Sequence, residues 1–268
     1  MAETLLEVSQ LEVVYNNVIR AVQGISLDVP AGSTVALIGL NGAGKTTTLR
    51  AISGFLPSER ATIREGTIQY DGKSILGLSP DDVVRRGIGL VPERNKVFSS
   101  LTVDENLNIG ALRARKSKDP NLNRENVLDH FPSLAKHRSS QAVFLSGGER
   151  QLLAIAMALL GKPRLLIVDE LSLGLSPSVR SLVTQKLLEL KAELGLSLLL
   201  VDQDVSAILE IADHGYVVEN GIVVREGTAS ELLAHGDVQE FYMGKGETED
   251  RMSYRDVKQY KRTRRWWG

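Results

Sequence analysis

The chain has 268 residues, of which 43% are hydrophobic and 24% charged, so it can bury a sizeable core and is too apolar for wholesale disorder. Its 32 basic side chains nearly balance 33 acidic ones, and the net charge of -1 argues against a dedicated, strongly basic nucleic-acid binder. The absence of cysteine excludes disulfides, thiol nucleophiles and thiolate-bound zinc, and it fits a reducing compartment.

The apolar runs are too short to cross a membrane. The longest occupy residues 152–160 and 165–168, whereas a span needs roughly 18–20 residues. Residues 1–10 contain two glutamates and lack a basic segment followed by an apolar one, so no secretory signal is predicted. We therefore expect a chain that works in aqueous surroundings.

The first part of the chain is predicted to form strands that lead into a glycine-rich loop. Residues 5–15 and 24–29 mix apolar and polar positions as strands do, and a Pro-Ala-Gly turn follows at 30–32. Residues 33–38 are a short apolar run typical of a buried strand. From Thr46 onward the apolar positions recur at helical spacing, which predicts a strand, a loop and a helix in direct succession.

The rest of the chain alternates helices with apolar strands. Residues 94 to about 145 are polar and carry a capping-box pattern at 102–105, which predicts a helical subdomain inserted into an α/β core. Apolar strands are predicted at 165–168 and 198–201, and Asp-Gly and Asn-Gly pairs elsewhere indicate two hairpins. The predicted fold class is α/β, with a mostly parallel sheet and ligand chemistry at the carboxyl ends of its strands.

Residues 39–46, with the sequence GLNGAGKT, match the phosphate-loop pattern G-x-x-x-x-G-K-[ST]. Glycines let successive backbone N–H groups turn toward phosphate oxygens, and the next helix presents its positive end. Lys45 is expected to reach the β- and γ-phosphates and the Thr46 hydroxyl to ligate Mg²⁺. A plain glycine-rich turn is the alternative, but the position between a predicted strand and helix favours phosphate binding.

The predicted strand at 165–168 ends in two carboxylates. Asp169 is placed to hold Mg²⁺ through water, and Glu170 could polarise the water that attacks the γ-phosphate. The alternative is a strand that simply ends in charges where it meets solvent. The phosphate loop upstream favours the catalytic interpretation.

Residues 145–151, LSGGERQ, have the pattern of a helix N-terminus. Ser146 as N-cap and Glu149 three residues later form a capping box. Helix capping does not explain Gly147 and Gly148, since each glycine costs up to about 1 kcal/mol in a helix relative to alanine. Close approach of a phosphate to the backbone would explain them.

Together these motifs resemble the nucleotide-binding subunit of an ABC transporter, whose signature L-S-G-G-[QE]-R-Q is matched throughout, and the resemblance extends over roughly residues 4–244. It implies a P-loop NTPase core with a mostly parallel sheet, an antiparallel β subdomain and an inserted helical subdomain. The domain boundaries expected are 1–244 for the nucleotide-binding domain, about 94–160 for its helical subdomain, and 245–268 for a basic, aromatic tail.

The resemblance also implies a head-to-tail dimer with two ATP molecules between the subunits. The signature of one subunit would contact the γ-phosphate held by the phosphate loop of the other. Tyr15 would stack on adenine, and ordinary strand packing is an equal alternative for this side chain. The residues implied to bind ATP are Tyr15, Gly39, Asn41, Gly42, Ala43, Gly44, Lys45, Thr46, Thr47, Ser146, Gly147, Gly148 and Glu149.

Several positions depart from the family pattern. Glu93 stands where a glutamine normally contacts Mg²⁺ and faces the membrane subunit, and a carboxylate can still bind the ion through water. Gln203 stands in place of a γ-phosphate-sensing histidine and cannot become cationic, which argues against robust hydrolysis by the subunit alone. Leu171 and Ser176 replace a common proline and aspartate. The expected catalytic residues are Glu170, Gln203 and Glu93, and the expected metal ligands are Thr46, Glu93 and Asp169.

The departures resemble one branch of the family, the second and shorter ATPase of branched-chain amino acid uptake systems. Importers of urea and short amides are similar. The resemblance implies an ATPase with ATP and Mg²⁺, a second ATP-binding subunit in a homo- or heterodimer, permease subunits and, indirectly, a solute-binding protein. No nucleic-acid partner is expected. The implied location of the subunit is the cytoplasmic face of the cell membrane.

Two further interpretations stay open on the sequence. An ABC-type ATPase acting on nucleic acid or the ribosome would usually need a second nucleotide domain, a long coiled coil or a strongly basic face. A P-loop kinase or nucleotide switch does not require the signature helix, so the signature disfavours both. The tail carries seven basic residues between 251 and 268 and ends in Trp-Trp-Gly, which suits an anionic membrane surface or a solvated extension.

Overall fold

The computed structural model describes residues 3–94, 96–114 and 124–242. The strands of this part of the chain are β1 (Thr4–Tyr15), β2 (Ile19–Pro30), β3 (Thr34–Ile38), β4 (Ala61–Tyr70), β5 (Lys73–Ser74), β6 (Ile88–Val91), β7 (Leu165–Asp169), β8 (Ser197–Val201), β9 (His214–Glu219) and β10 (Ile222–Thr228). Its α-helices are α1 (Lys45–Ile52), α2 (Pro80–Arg85), α3 (Val103–Ala114), α4 (Arg124–Asp129), α5 (Pro132–Lys136), α6 (Gly147–Leu159), α7 (Pro177–Leu194), α8 (Val205–Leu209), α9 (Ala229–Ala234) and α10 (Gly236–Tyr242).

Six strands form one sheet in the order β10-β9-β3-β8-β7-β6. The strands from β9 to β6 run parallel to one another, and β10 pairs antiparallel with β9. The carboxyl ends of β3, β7 and β8 therefore meet at one edge, where open α/β sheets bind ligands. This arrangement confirms the predicted α/β fold with a mostly parallel sheet.

A second sheet is antiparallel and has the order β2-β1-β4-β5. Alternate residues of β3 face different layers, as the pleat of a strand requires. Val35 and Leu37 join the apolar core shared with the antiparallel sheet, and Ala36 and Ile38 join the core under the helices. The β3 strand is thus buried on both faces, which explains its short, fully apolar sequence.

The local turn and cap signals in the sequence correspond to the observed boundaries. The Asp-Gly pair at 71–72 separates β4 from β5, and the Asn-Gly pair at 220–221 separates β9 from β10, so both hairpin predictions are confirmed. The strand β6 was not predicted, because its four residues lie among polar neighbours. None of the helices in the described part of the chain is long and apolar enough to cross a membrane.

Helices α3 to α6 lie between β6 and β7, where a helical insertion was predicted. At its start, Thr102 and Glu105 form the expected capping box, with the Thr102 N–H donating to Glu105 Oε2 at 2.7 Å and the Glu105 N–H donating to Thr102 Oγ1 at 3.2 Å. Helix α3 packs against α6, so the first helix of the insertion contacts the helix that carries the LSGGERQ segment. The predicted tail at 245–268 lies outside the described residues.

Candidate nucleotide site

The phosphate loop connects the end of β3 to the start of α1. Its three glycines have positive backbone angles, with φ of 155° at Gly39, 80° at Gly42 and 107° at Gly44. A Cβ atom at Gly39 would overlap the carbonyl oxygen of Val218, and one at Gly44 would lie 2.7 Å from the carbonyl oxygen of Ala21. The path of the loop therefore requires glycine for its backbone angle and for space.

The Lys45 side chain lies against this loop and is buried, with 5% of the residue exposed. Its Nζ donates to the carbonyl oxygen of Gly39 at 2.7 Å and to that of Leu40 at 3.1 Å. Burial lowers the pKa of Lys45, and the nearby carboxylates of Glu170 and Asp169 act in the opposite direction. The Lys45 ammonium group is thus held against the phosphate loop by two neutral carbonyl groups.

Asp169 ends β7 and is buried beside Thr46. Burial raises the pKa of Asp169, whereas a hydrogen bond with the Thr46 side chain lowers it. The Oδ1 atom of Asp169 is buried and has no hydrogen-bond partner among the described residues. A carboxylate oxygen in this state, next to a hydroxyl group, fits the oxygen ligands that Mg²⁺ prefers.

Glu170 follows with a left-handed backbone, at φ 56°. Its N–H donates to the carbonyl oxygen of Val201 at 2.9 Å, and its Oε1 accepts a hydrogen bond from Gln203 Nε2 at 3.3 Å. Burial raises the pKa of Glu170, the hydrogen bond from Gln203 lowers it, and the negative charge of Asp202 raises it. A carboxylate whose pKa is raised in this way is suited to accept a proton during a reaction.

A cavity of about 430 Å³ brings Lys45, Thr46 and Glu170 together, whereas Asp169 is not among the residues that line it. Glu93, Glu170 and Gln203 come from three distant parts of the chain and all line it beside the phosphate loop. Glu93 Oε1 accepts a hydrogen bond from Arg94 Nε at 2.9 Å. The lining residues are Ala21, Asn41, Gly42, Ala43, Gly44, Lys45, Thr46, Thr47, Glu93, Arg94, Glu170 and Gln203.

The signature segment begins α6 with the expected capping box. The Ser146 Oγ accepts the Glu149 N–H at 3.2 Å, and Glu149 Oε2 accepts the Ser146 N–H at 2.8 Å. Ser146 itself is exposed. Residues 146–149 are not among those that line the cavity of the phosphate loop in the same chain.

The two glycines of the signature have close neighbours within the chain. A Cβ atom at Gly148 would overlap Cγ1 of Val179 on α7, and one at Gly147 would lie 3.2 Å from Cδ2 of Leu175. The sequence pattern favours the approach of a ligand as the reason for both glycines. The structure supplies a packing reason for Gly148 that is independent of any ligand.

Tyr15 lies at the end of β1, next to α1. Its hydroxyl donates to Glu59 Oε2 at 3.2 Å and lies 3.4 Å from Thr47 Oγ1. The half-buried ring packs against the core of the antiparallel sheet. Tyr15 is therefore fixed beside a residue of the cavity, which is compatible with both interpretations of this side chain.

Three residues near the site were missed by the sequence analysis. Ala21 and Arg94 line the cavity, and Asp202 is a buried carboxylate between β8 and Gln203. Arg94 follows Glu93 directly and could have been found from that position, whereas nothing local marks Ala21. Leu171, the departure next to Glu170, is 3% exposed and belongs to the apolar core.

The fold and the cavity define a P-loop ATPase, and residues 22–172 match the family described as ABC transporter. The chain belongs to this family, as an ATP-hydrolysing subunit of a transport system. It is similar to the ADP conformation of an ATP-binding cassette of an ABC transporter, with a TM-score of 0.78 and 27% identity over 91% of this chain and 100% of that chain.

Two of the relatives that match most of the chain are transport ATP-binding proteins. One is the high-affinity branched-chain amino acid transport ATP-binding protein BraG of Pseudomonas aeruginosa, 40% identical over 230 residues, which are 86% of this chain and 96% of that protein. The other is the probable branched-chain amino acid transport ATP-binding protein LivF of Archaeoglobus fulgidus. It is 38% identical over 220 residues, which are 82% of this chain and 91% of that protein.

Proposed function

We propose that the chain is one of two ATP-binding subunits that power an importer of branched-chain or related amino acids. The observation that carries the substrate class is the 40% identity to BraG over 96% of the length of that protein. The chain would bind to permease subunits on the cytoplasmic face of the cell membrane, and a solute-binding protein would deliver the amino acid.

ATP would place its phosphates in the cavity of the phosphate loop, with adenine beside Tyr15. Lys45 would turn from the carbonyl oxygens of its own loop to the β- and γ-phosphates, exchanging neutral partners for charged ones. Water attacks the γ-phosphorus, its proton passes to Glu170, and the bond to the β-phosphate oxygen breaks to leave ADP and phosphate. Gln203, hydrogen-bonded to Glu170, would orient the γ-phosphate or the water.

The site also fits Mg²⁺. Thr46, Asp169 and Glu93 would hold the ion, which supplies positive charge against the β- and γ-phosphates. The support is the buried Oδ1 of Asp169, which lacks a hydrogen-bond partner among the described residues and lies beside Thr46.

A second cavity, of about 500 Å³, offers a place for a permease segment. Glu93 and Arg94 line both this cavity and the one at the phosphate loop. Its other walls are largely apolar, with Leu49, Val83 and Leu90 among them. A permease segment seated there would contact the same loop that carries Glu93, which would connect transport to hydrolysis.

We further propose a head-to-tail dimer, in which Ser146 of one subunit faces the phosphate loop of the other, and a disulfide test addresses it. The sequence contains no cysteine, so only the introduced thiols can react. Asn41→Cys and Ser146→Cys would be introduced singly, in an E170Q background, and the two proteins mixed with ATP and oxidant. Both positions are exposed. We expect a cross-linked dimer in the mixture with ATP and none from either variant alone. No cross-link in the mixture would contradict this arrangement between copies of the chain.

Uptake measurements address the substrate. A strain lacking the chain would be complemented with wild type or with Lys45→Met, which removes the phosphate-loop cation. We expect wild type alone to restore uptake of labelled leucine, isoleucine and valine, while urea uptake is the same in all strains. If the deletion strain took up leucine normally but lost urea uptake, the proposed substrate class would be wrong, and an amide would be the substrate.

A further inference from the structure

Asp202 is a buried carboxylate that joins the two loops of the reactive edge. It follows β8 directly and is 3% exposed. Its Oδ2 accepts the Ser172 N–H at 2.8 Å, and its Oδ1 accepts the Ser172 hydroxyl at 2.7 Å and the Asp204 N–H at 2.9 Å. Two of these hydrogen bonds tie the segment after β7 to the segment after β8, and the third, from Asp204, holds the segment after β8 in its own turn.

The residues flanked by these hydrogen bonds are Glu170 and Gln203. Ser172 comes two residues after Glu170, and Asp204 comes one residue after Gln203. The left-handed backbone of Glu170, at φ 56°, is a conformation that costs an ordinary residue about 1 kcal/mol or more and persists only where its surroundings hold it. The Glu170 N–H donates to the Val201 carbonyl oxygen, and two residues later the Ser172 N–H donates to Asp202, so the backbone is fixed at Glu170 and just after it.

We propose that Asp202 is a positioning residue, which holds Glu170 and Gln203 in the relative geometry that ATP hydrolysis requires. The inference rests on the proposed catalytic role of Glu170. Asp202 does not line the cavity and would act through the backbone of its neighbours. Without its three acceptor contacts, the Glu170 carboxylate and the Gln203 amide would no longer be fixed at 3.3 Å from each other.

The chemistry requires a carboxylate at this position. Both oxygens of Asp202 face backbone N–H donors, one from Ser172 and one from Asp204. An asparagine would direct its NH₂ group at one of these backbone donors in either orientation, so at least one hydrogen bond would be lost and a buried donor left without an acceptor. D202N is therefore nearly isosteric but cannot satisfy the same three donors.

A separate link, between α7 and the segment after β8, should let D202N fold. Asp204 pairs with Arg180 of α7, and its Oδ1 accepts the Ala207 N–H at 3.1 Å at the start of α8. Neither contact involves the Asp202 side chain, so α7 and α8 remain joined in the variant. The unfolding temperature would be measured to confirm this.

The test compares D202N, S172A and E170Q with wild type, in the full chain. The matched control is D213N, since Asp213 also accepts a backbone N–H between loops, from Thr34 at 2.7 Å, but at the opposite ends of the parallel strands. We expect D202N to lower kcat about 10- to 100-fold, since a misplacement of about 1 Å can cost roughly 100-fold, with KM for ATP within about twofold. S172A should lower kcat less than D202N does, because the backbone N–H of residue 172 can still donate to Asp202. D213N should keep the wild-type kcat.

Two further measurements separate positioning from a structural role. In the D202N/S172A double variant the two losses should not add, because both changes act on one link. A crystal structure of D202N with ATP should show the Glu170 Oε1 to Gln203 Nε2 distance lengthened beyond hydrogen bonding, and this readout does not depend on turnover.

The outcomes distinguish this inference from the proposed function. Wild-type turnover in E170Q would remove the catalytic role of Glu170 and the inference with it. An inactive E170Q, together with a D202N variant that keeps kcat and the 3.3 Å contact, would overturn the role of Asp202 alone. A lowered unfolding temperature with unchanged kcat would make Asp202 a purely structural residue.

Discussion

Glu170 Oε1 and Gln203 Nε2 lie 3.3 Å apart, although the two residues are separated by 33 positions in the sequence. The contact exists because β7 and β8 are parallel neighbours, so their carboxyl ends meet. Gln203 is therefore in reach of the carboxylate to which catalysis is attributed. A histidine at the same position could make the same contact and could also carry a positive charge.

Replacing Gln203 by histidine should raise basal ATP hydrolysis. A hydrogen bond from a cationic donor is worth about 1 kcal/mol more than one from a neutral donor, which corresponds to a rate increase of roughly fivefold. The measurement is phosphate release by the isolated chain, with Q203A as the control that should fall below wild type. An unchanged rate in Q203H would place the limit on hydrolysis elsewhere.

E170Q should keep ATP binding and lose turnover. Glutamine retains an oxygen that can accept the hydrogen bond from Gln203, so the geometry is preserved while the capacity to take a proton is lost. We expect turnover to fall about 10²- to 10⁴-fold, with ATP affinity within about twofold, and size-exclusion chromatography with ATP should show a trapped dimer. Undiminished phosphate release in E170Q would refute the role of Glu170 as general base.

The phosphate loop, both hairpins and the signature cap were predictable because each is a local signal. A turn sequence or a capping box is decided by residues within four positions of one another. The contact between Asp202 and Ser172, and the cavity wall formed by Ala21, depend on which strands become neighbours. No local pattern contains that information, so these features had to come from the fold.

Gly148→Ala tests a second feature that the sequence could not show, the packing against Val179. The added Cβ would overlap Val179 Cγ1, and overpacking should outweigh the gain in helix propensity, for a net loss of about 1–2 kcal/mol in the free energy of unfolding. Chemical denaturation measures this loss.

The double variant G148A/V179A separates the two reasons for glycine at this position. Removing the Val179 methyl groups should restore most of the lost stability. If ATP turnover then returns to the wild-type level, packing alone accounts for Gly148. If stability returns and turnover does not, the glycine is also needed where the backbone meets a ligand.

The last prediction concerns the acid stability conferred by the capping box of α6. Hydrogen bonds from the side chain and backbone of Ser146 lower the pKa of Glu149, with a smaller contribution from the charge of His137. A carboxyl whose pKa is lower in the folded chain stabilises the fold above its unfolded pKa, near 4.5, and this stabilisation is lost as the pH falls through the folded value. Wild type should therefore exceed E149Q in free energy of unfolding by about 1 kcal/mol at pH 7, and the difference should shrink below about pH 4.5.

The chain offers a matched control at α9, where Thr228 and Glu231 form the same capping box and hydrogen bonds from Thr228 lower the pKa of Glu231. E231Q should lose stability at pH 7 with the same pH dependence, because its cap has the same chemistry. It should keep wild-type ATP turnover, since α9 does not line the nucleotide cavity. If E149Q also kept full turnover, Glu149 would serve α6 only as a cap, and its place among the ATP-binding residues would be wrong.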